Sequence, residues 1–412
     1  MAVDRESVPV GTILCVSHVA PWPATHGNEI RLQRLLLWLR QRNYRIILVL
    51  TQPHFDAEQQ ALIRSHVDRL EIASPQHPLL QYRTRRQKLN SLLRYLFAGP
   101  RRPAPTQSGA MQKFANEICP PCVNKLVRRL AEQEPIDVFL AYYAFTIHAF
   151  AGLPVAKKLI CDTIEIFSMD RFDETGNLIK PVLSFAANEE KAMLAQGDII
   201  LGIQPNESKY LAELLPGKCI ATVGIDADLP RDPGIPSKAS ETIGIIGSDN
   251  PANCEGLDLF LEHCWPVIRA QRPQARLFIA GKLGIALQKK LPNGLPDGVA
   301  PLGWIPDLAH FYRDLRVIVN PVVRGTGLKI KSVEAMAHSR PLVAYPVGLE
   351  GMAWPSDLPW IEVGDPQAMA SACIALLADS DRCDVMSESA TQYALSILGD
   401  EHVYAPLAEM IA

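Results

Sequence analysis

The segment Gly325–Ala337 (GTGLKIKSVEAMA) sets two glycines, two lysines and a glutamate around the start of one helical repeat. A short apolar run, Val317–Pro321 (VIVNP), reads as a buried strand just before it. Gly325 and Gly327 let backbone approach a ligand closely. With Thr326 between them and Leu328 after them, they form the turn into the helix. The first N–H groups of such a helix, and its dipole, suit a phosphate. Along it Ile330, Val333 and Ala337 make a core face, while Lys331, Glu334 and His338 share another. A lysine at the helix start neutralises a diphosphate, and a carboxylate one turn on accepts hydrogen bonds from ribose hydroxyls. Lys329 adds a second cation. The same spacing also describes a surface helix with an i, i+3 ion pair, and a Gly-rich turn before a helix does not choose between them.

Other chemistry-bearing residues are less constrained. Cys119 and Cys122 have CxxC spacing (ICPPCVNK), but no second pair accompanies them, so they read as two free thiols near a helix start. Nine cysteines, an odd number, and a charged N-terminus with no apolar core fit a reduced, cytoplasmic setting. Residues 82–102 (YRTRRQKLNSLLRYLFAGPRR) place Leu89, Leu92, Leu93 and Leu96 at helical spacing among arginines. That pattern suits an anionic membrane surface, and equally a solvated helix packed on its own domain. A net charge of −3 gives no sign of a nucleic-acid partner.

The elements that must position these residues follow from periodicity. With 412 residues the chain exceeds one ordinary core. Strands are expected at Thr12–Val16, Arg45–Leu50, Leu70–Ala73, Asp137–Tyr142, Lys158–Cys161, Asp198–Ile203 and Cys219–Val223, with helical patterns between them. Val138–Ala156 lacks charged residues, but His148, Gly152 and Pro154 interrupt it, so it reads as a buried strand and a short helix rather than a membrane span. A polar, proline-rich stretch breaks the rhythm near Ile225–Ser240. A second series then follows at Thr242–Ile246, Ala275–Ala280, Gly298–Pro301, Leu315–Asn320 and Pro341–Tyr345. Its helices are expected at Ala252–Ala270, Lys329–His338 and Gln367–Ala378. This predicts an α/β chain: a Rossmann-like domain at 1–225, a linker at 226–241, a second Rossmann-like domain at 242–385, and C-terminal helices at 386–412 packing back on the first domain.

The second half resembles retaining family-4 glycosyltransferases, especially the bacterial branch that builds surface polysaccharide. The resemblance runs in order through Ile246–Ser248 with Asn253 and Gly256–Leu257, Trp265–Pro266, Phe278–Lys282, Gly303–Asp307, GTGLKIKSVEAMA, and Pro341–Val343 to Gly348–Gly351. Weaker resemblance touches the Gly27 loop, Asp162–Ser168 and Gly202–Glu207. It implies a GT-B fold, two Rossmann-like domains facing across a cleft. It implies transfer of a sugar from a nucleoside-diphosphate sugar to a glycan or lipid-linked glycan with retention at the anomeric carbon. It implies no cofactor and no essential metal, so Asp226-Ala227-Asp228 is not expected to be a metal motif. On this resemblance the donor is held by Gly27, Gly247, Ser248, Asn253, Gly281, Lys282, Trp304, Ile305, Gly325, Thr326, Gly327, Leu328, Lys329, Lys331 and Glu334. Lys331, Glu165 and Tyr142 are the expected catalytic residues. The enzyme would work in the cytoplasm, peripheral to the inner face of the membrane.

The chain departs from the pattern in places. Ser248 or Asp249 and Glu255 stand where many members have an arginine and a lysine, which throws the charge onto Lys329 and Lys331. Tyr142 or Tyr143 stands where many have a histidine, and Ile164-Glu165 where related sequences read His-Asp. His18 and His148 are alternative imidazoles in that domain, each readable as structural. Two other activities share the outline: a nucleotide-sugar epimerase, which needs no acceptor, and a binding subunit without catalysis.

Overall fold

The computed structural model describes residues 8–52, 55–81, 102, 109–154, 157–169, 183–227, 229, 234, 240–292, 294–325, 328–353 and 357–411. The chain divides into two compact units. The first ends at Val223 and takes in Pro406–Ala412; the second is Gly224–Ala405.

The first unit is built on seven strands: β1 (Gly11–Ser17), β2 (Tyr44–Leu50), β3 (Arg69–Ile72), β4 (Val138–Tyr142), β5 (Lys158–Asp162), β6 (Ile199–Gly202) and β7 (Cys219–Thr222). Their order is β3-β2-β1-β4-β5-β6-β7, all parallel. The apolar runs of β1, β4 and β6 are buried end to end, as parallel strands covered on both faces require. The order reverses direction between β1 and β4, which opens a crevice at their carboxyl ends. In the stretch 138–154 the structure shows β4 followed by a 3-10 turn, Ala144–Phe150; residues 155 and 156 lie outside the described residues.

The second unit has six parallel strands: β8 (Thr242–Ile246), β9 (Arg276–Ala280), β10 (Val299–Gly303), β11 (Val317–Asn320), β12 (Leu342–Ala344) and β13 (Trp360–Glu362). Their order is β10-β9-β8-β11-β12-β13, so the reversal falls between β8 and β11. Ile243, Leu277, Val317 and Val343 of the sheet pack with Leu257, Phe260, Trp265 and Leu376 of the flanking helices.

Three expectations change. The helix expected over Ala252–Ala270 is three pieces: Pro251–Leu259, a π turn at Phe260–Cys264, and Trp265–Gln271. Pro266 has no N–H to continue the ladder, so the turn before it widens. The three-residue strand β13 is too short to show a period. At the C-terminus, helix Ser380–Ile397 belongs to the second unit, where it contacts helices Ile330–Ala337 and Pro366–Ala378. The last helix, Ala405–Ile411, belongs to the first unit from Pro406 on: Tyr44 and Lys158 donate to the carbonyls of Ile411 and Met410. The first unit therefore reclaims its final segment at Pro406, not at residue 386.

Among the described residues no helix is long and apolar enough to cross a membrane, and no group of three His, Cys, Asp or Glu side chains could hold a metal ion.

Candidate functional site

At the carboxyl end of the second sheet, three strand ends are drawn together by glycines. The N–H of Gly247, just past β8, donates to the Ala280 carbonyl of β9 at 3.2 Å. The N–H of Gly281 donates to the Gly303 carbonyl of β10 at 2.6 Å. A Cβ on Gly281 would lie 2.4 Å from the Gly247 carbonyl oxygen, and Gly281 has φ of 79°. Only glycine fits that corner. Lys282 opens the next helix, Lys282–Lys290, and Trp304 and Ile305 continue from the same corner. Trp304 is 58% exposed.

The reversal between β8 and β11 brings two loops side by side. Asn253, buried in the first turn of helix Pro251–Leu259, donates to the Ser248 carbonyl at 2.9 Å and to its hydroxyl at 3.2 Å. Its Oδ1 accepts from the Lys331 ammonium. Lys331 thus reaches from helix Ile330–Ala337, after β11, to the turn after β8. Lys331 is half-buried as a whole, and its ammonium lies against Asn253. Burial, then the neighbouring Lys329 charge, push its pKa down to about 7, with Glu334 opposing. Lys329 caps the helix, is largely buried, and lies 3.8 Å from Glu350. Gly325 (φ 137°) and Leu328 flank it; Thr326 and Gly327 lie outside the described residues.

Three features of this site were not read from the sequence. Arg324, in the loop after β11, pairs with Glu255 of helix Pro251–Leu259. A guanidinium therefore stands beside the carboxylate that occupies an expected lysine position. Tyr312, fully buried, donates from its hydroxyl to Glu334 at 3.3 Å, and His338 stacks on its ring at 4.4 Å and 9°. Beneath the loop, Asn320 at the end of β11 donates to Ser332 at 2.8 Å, and Ser332 donates to the Gly348 carbonyl at 2.7 Å. These pairs lie 69, 22 and 12 to 16 residues apart, so no local spacing marks them.

In the first unit, the crevice between β1 and β4 holds a second polar group. Gly27 starts helix Gly27–Gln41, and Glu29 accepts from the N–H groups of Thr25 and His26 at 2.6 and 3.0 Å. Tyr142, expected to be catalytic, is fully buried, and its hydroxyl donates to the Asn28 carbonyl, which tethers the helix start. Asn28 also donates to the Tyr143 hydroxyl at 3.2 Å. Tyr143 (φ 71°) and Ile164 (φ 60°) both sit in the left-handed region, at the ends of β4 and β5. Each costs about 1–3 kcal/mol, the kind of strain that clusters at functional sites. Glu165 follows, half-buried, and its charge acts on Tyr143.

The two histidines differ. His18 lies 4.8 Å from the Tyr143 ring, with a buried Nδ1 that has no hydrogen-bond partner. Burial lowers its pKa to about 4, so it is neutral at pH 7. His148 is structural: Nε2 bonds the Cys119 carbonyl at 2.7 Å. Cys119 is buried and Cys122 sits in the first turn of helix Pro121–Gln133, both free. Below the crevice Arg31 and Asp162 form a buried ion pair at 2.9 Å. Of the basic stretch 82–102 only Arg102 is described. It is buried against Asp198 and the carbonyls of Gln196 and Lys157, hence an anchor, not a surface cation. Asp226 accepts from the Tyr404 hydroxyl at 2.7 Å, while Asp228 lies outside the described residues.

The chain is similar to known proteins in part of its sequence and in its fold. Residues 240–379 match the family described as glycosyl transferases group 1. An uncharacterized protein from the cps region of Klebsiella pneumoniae is 32% identical over 107 residues. That match covers 24% of this chain and 28% of the relative, so the chain spans under a third of the relative's length. Three solved structures align along nearly the whole chain. Anabaena HepE, crystallised with UDP and glucose, has a TM-score of 0.66 at 14% identity, covering 97% of this chain and 99% of its own. TarM of S. aureus has a TM-score of 0.69 at 10% identity, covering 99% and 100%. The sucrose-phosphate synthase of Thermosynechococcus elongatus has 0.64 at 17%, covering 97% and 98%. With two parallel, doubly wound sheets and a group 1 region across the second of them, the chain has the GT-B glycosyltransferase fold.

Proposed function

We propose that this chain transfers a sugar, with retention of anomeric configuration, from a nucleoside-diphosphate sugar to a glycan or lipid-linked glycan. The observation that carries the proposal is the meeting of Lys331 with Asn253 at the β8–β11 reversal. Ligands of open α/β sheets bind at such reversals. In this reading Lys331, Lys329 and the helix start offset the charge of the leaving diphosphate, and no metal is assigned a role. The turn at Gly247–Ser248 and the Gly325–Leu328 loop bring backbone to the phosphates. Glu334 takes the ribose, and the backbone at Trp304–Ile305 lies by the base. UDP is the first nucleotide to try, since HepE was crystallised with it. Gly27 and Glu165 are the first unit's share. The basic stretch 82–102 supports work in the cytoplasm at the inner face of the membrane, beside a lipid-linked acceptor.

The test is a panel of UDP- and GDP-sugars read by thermal shift. A true donor at a hundred times its dissociation constant stabilises by about 2.7 kcal/mol. The same donor should then turn over only with an acceptor present, and K331A should lower turnover by several orders of magnitude. Full activity in K331A would remove the assignment.

A further inference from the structure

We infer that Tyr312 is a positioning residue for Glu334, and that through it the second unit discriminates ribose hydroxyls of the nucleotide. The inference rests on the reading of Glu334 as the ribose ligand. A carboxylate on a helix surface samples several rotamers in water. Here one of its oxygens is held from behind by a phenol that cannot move. Tyr312 is fully buried, its hydroxyl lies 3.3 Å from Glu334 Oε2, and its ring is clamped by His338 stacked at 4.4 Å. The backbone is pinned too: Arg340 Nε donates to the Tyr312 carbonyl at 2.7 Å. Burial and the Glu334 charge raise the Tyr312 pKa well above its usual value, so the hydroxyl keeps its proton and remains a donor. A carboxylate with one oxygen so engaged presents the other lone pairs in a fixed direction. Fixed acceptors reject an analogue that lacks the matching hydroxyl, because the acceptor, covered by the bound ligand, is then left without its donor.

The experiment measures binding of UDP, 2′-deoxy-UDP and 3′-deoxy-UDP to the full chain by calorimetry. Wild type should prefer UDP over at least one deoxy analogue. Y312F removes only the hydroxyl and should cut that preference by about tenfold, the scale of one hydrogen bond to a charged group. H338L loosens the ring without touching either bonded atom, and should cut it by about threefold. H338L also keeps the idea testable if Y312F fails to fold. E334A separates this inference from the reading beneath it. If E334A abolishes the preference while Y312F and H338L retain it in full, the positioning role is overturned. If E334A itself retains the preference, the ribose reading falls and the inference with it. A purely structural Tyr312 would lower the melting temperature of Y312F and leave the preference unchanged, which also counts against the inference.

Discussion

Lys331 holds its proton weakly. Its ordinary pKa is displaced to about 7, first by burial and then by Lys329. A bound diphosphate brings negative charge that outweighs burial and the Lys329 repulsion, so the bound form should be ammonium at any pH below the ordinary lysine range. The sign follows. Below pH 7 the amine is already charged, and binding takes up no proton there. Above pH 7 the free amine is neutral, and binding must draw a proton from solvent. UDP affinity should therefore fall as pH rises past about 7, with a limiting slope of one tenfold step per pH unit. Calorimetry at pH 8.5 in two buffers of different ionisation enthalpy should report uptake of most of one proton per UDP, and K331M should abolish it. A pH-independent affinity from 7 to 9 would show that Lys331 does not meet the phosphates. Lysine at this position was legible from the sequence; its displaced acidity was not, because it depends first on burial, which only the folded chain creates.

The elements around that residue were largely legible. Strand-like runs of four to six residues mark twelve of the thirteen strands, and the central ones, such as β1, β4 and β11, are buried end to end as strands covered on both faces require. The order of those strands was not legible. The reversal between β8 and β11 is a property of the whole sheet, and it alone explains why Ser248, Asn253 and Lys331 meet. The glycine corner beside them gives a test at this scale. G281A forces φ of 79° on a residue with a side chain and drives its Cβ to 2.4 Å from the Gly247 carbonyl. Strain of about 1–3 kcal/mol comes from the backbone alone, and the contact adds to it. The Gly247–Ser248 turn must then shift, so G281A should lose both stability and UDP affinity. G294A, where an added Cβ meets nothing within 4 Å, should stay within about 0.5 kcal/mol of wild type. Equal denaturant midpoints for the two variants would contradict the crowding described here.

At the scale of the whole chain, the polypeptide leaves the first unit after Val223 and returns to it at Pro406. The sequence showed helices at the end but not where the return begins, because helix Ser380–Ile397 is amphipathic whichever unit it covers. The returning segment is short and specific. Leu407 is 2% exposed, Tyr44 and Lys158 bond the carbonyls of Ile411 and Met410, and Cys219 touches the Met410 sulfur at 3.9 Å. Burying one leucine is worth about 1.5–3 kcal/mol, and the hydrogen bonds add less. Removing Pro406–Ala412 should therefore cost the first unit about 2–3 kcal/mol and lower its melting midpoint by roughly 4–12 °C. The loops proposed to hold the donor belong to the second unit, whose residues the truncation leaves intact, so UDP affinity should stay within about twofold of the full chain. Calorimetric melting and UDP titration of the truncated protein check both halves of this expectation. An unchanged midpoint would mean that the last helix does not stabilise the first unit; a large loss of UDP affinity would mean that the nucleotide is not held by the second unit's loops alone.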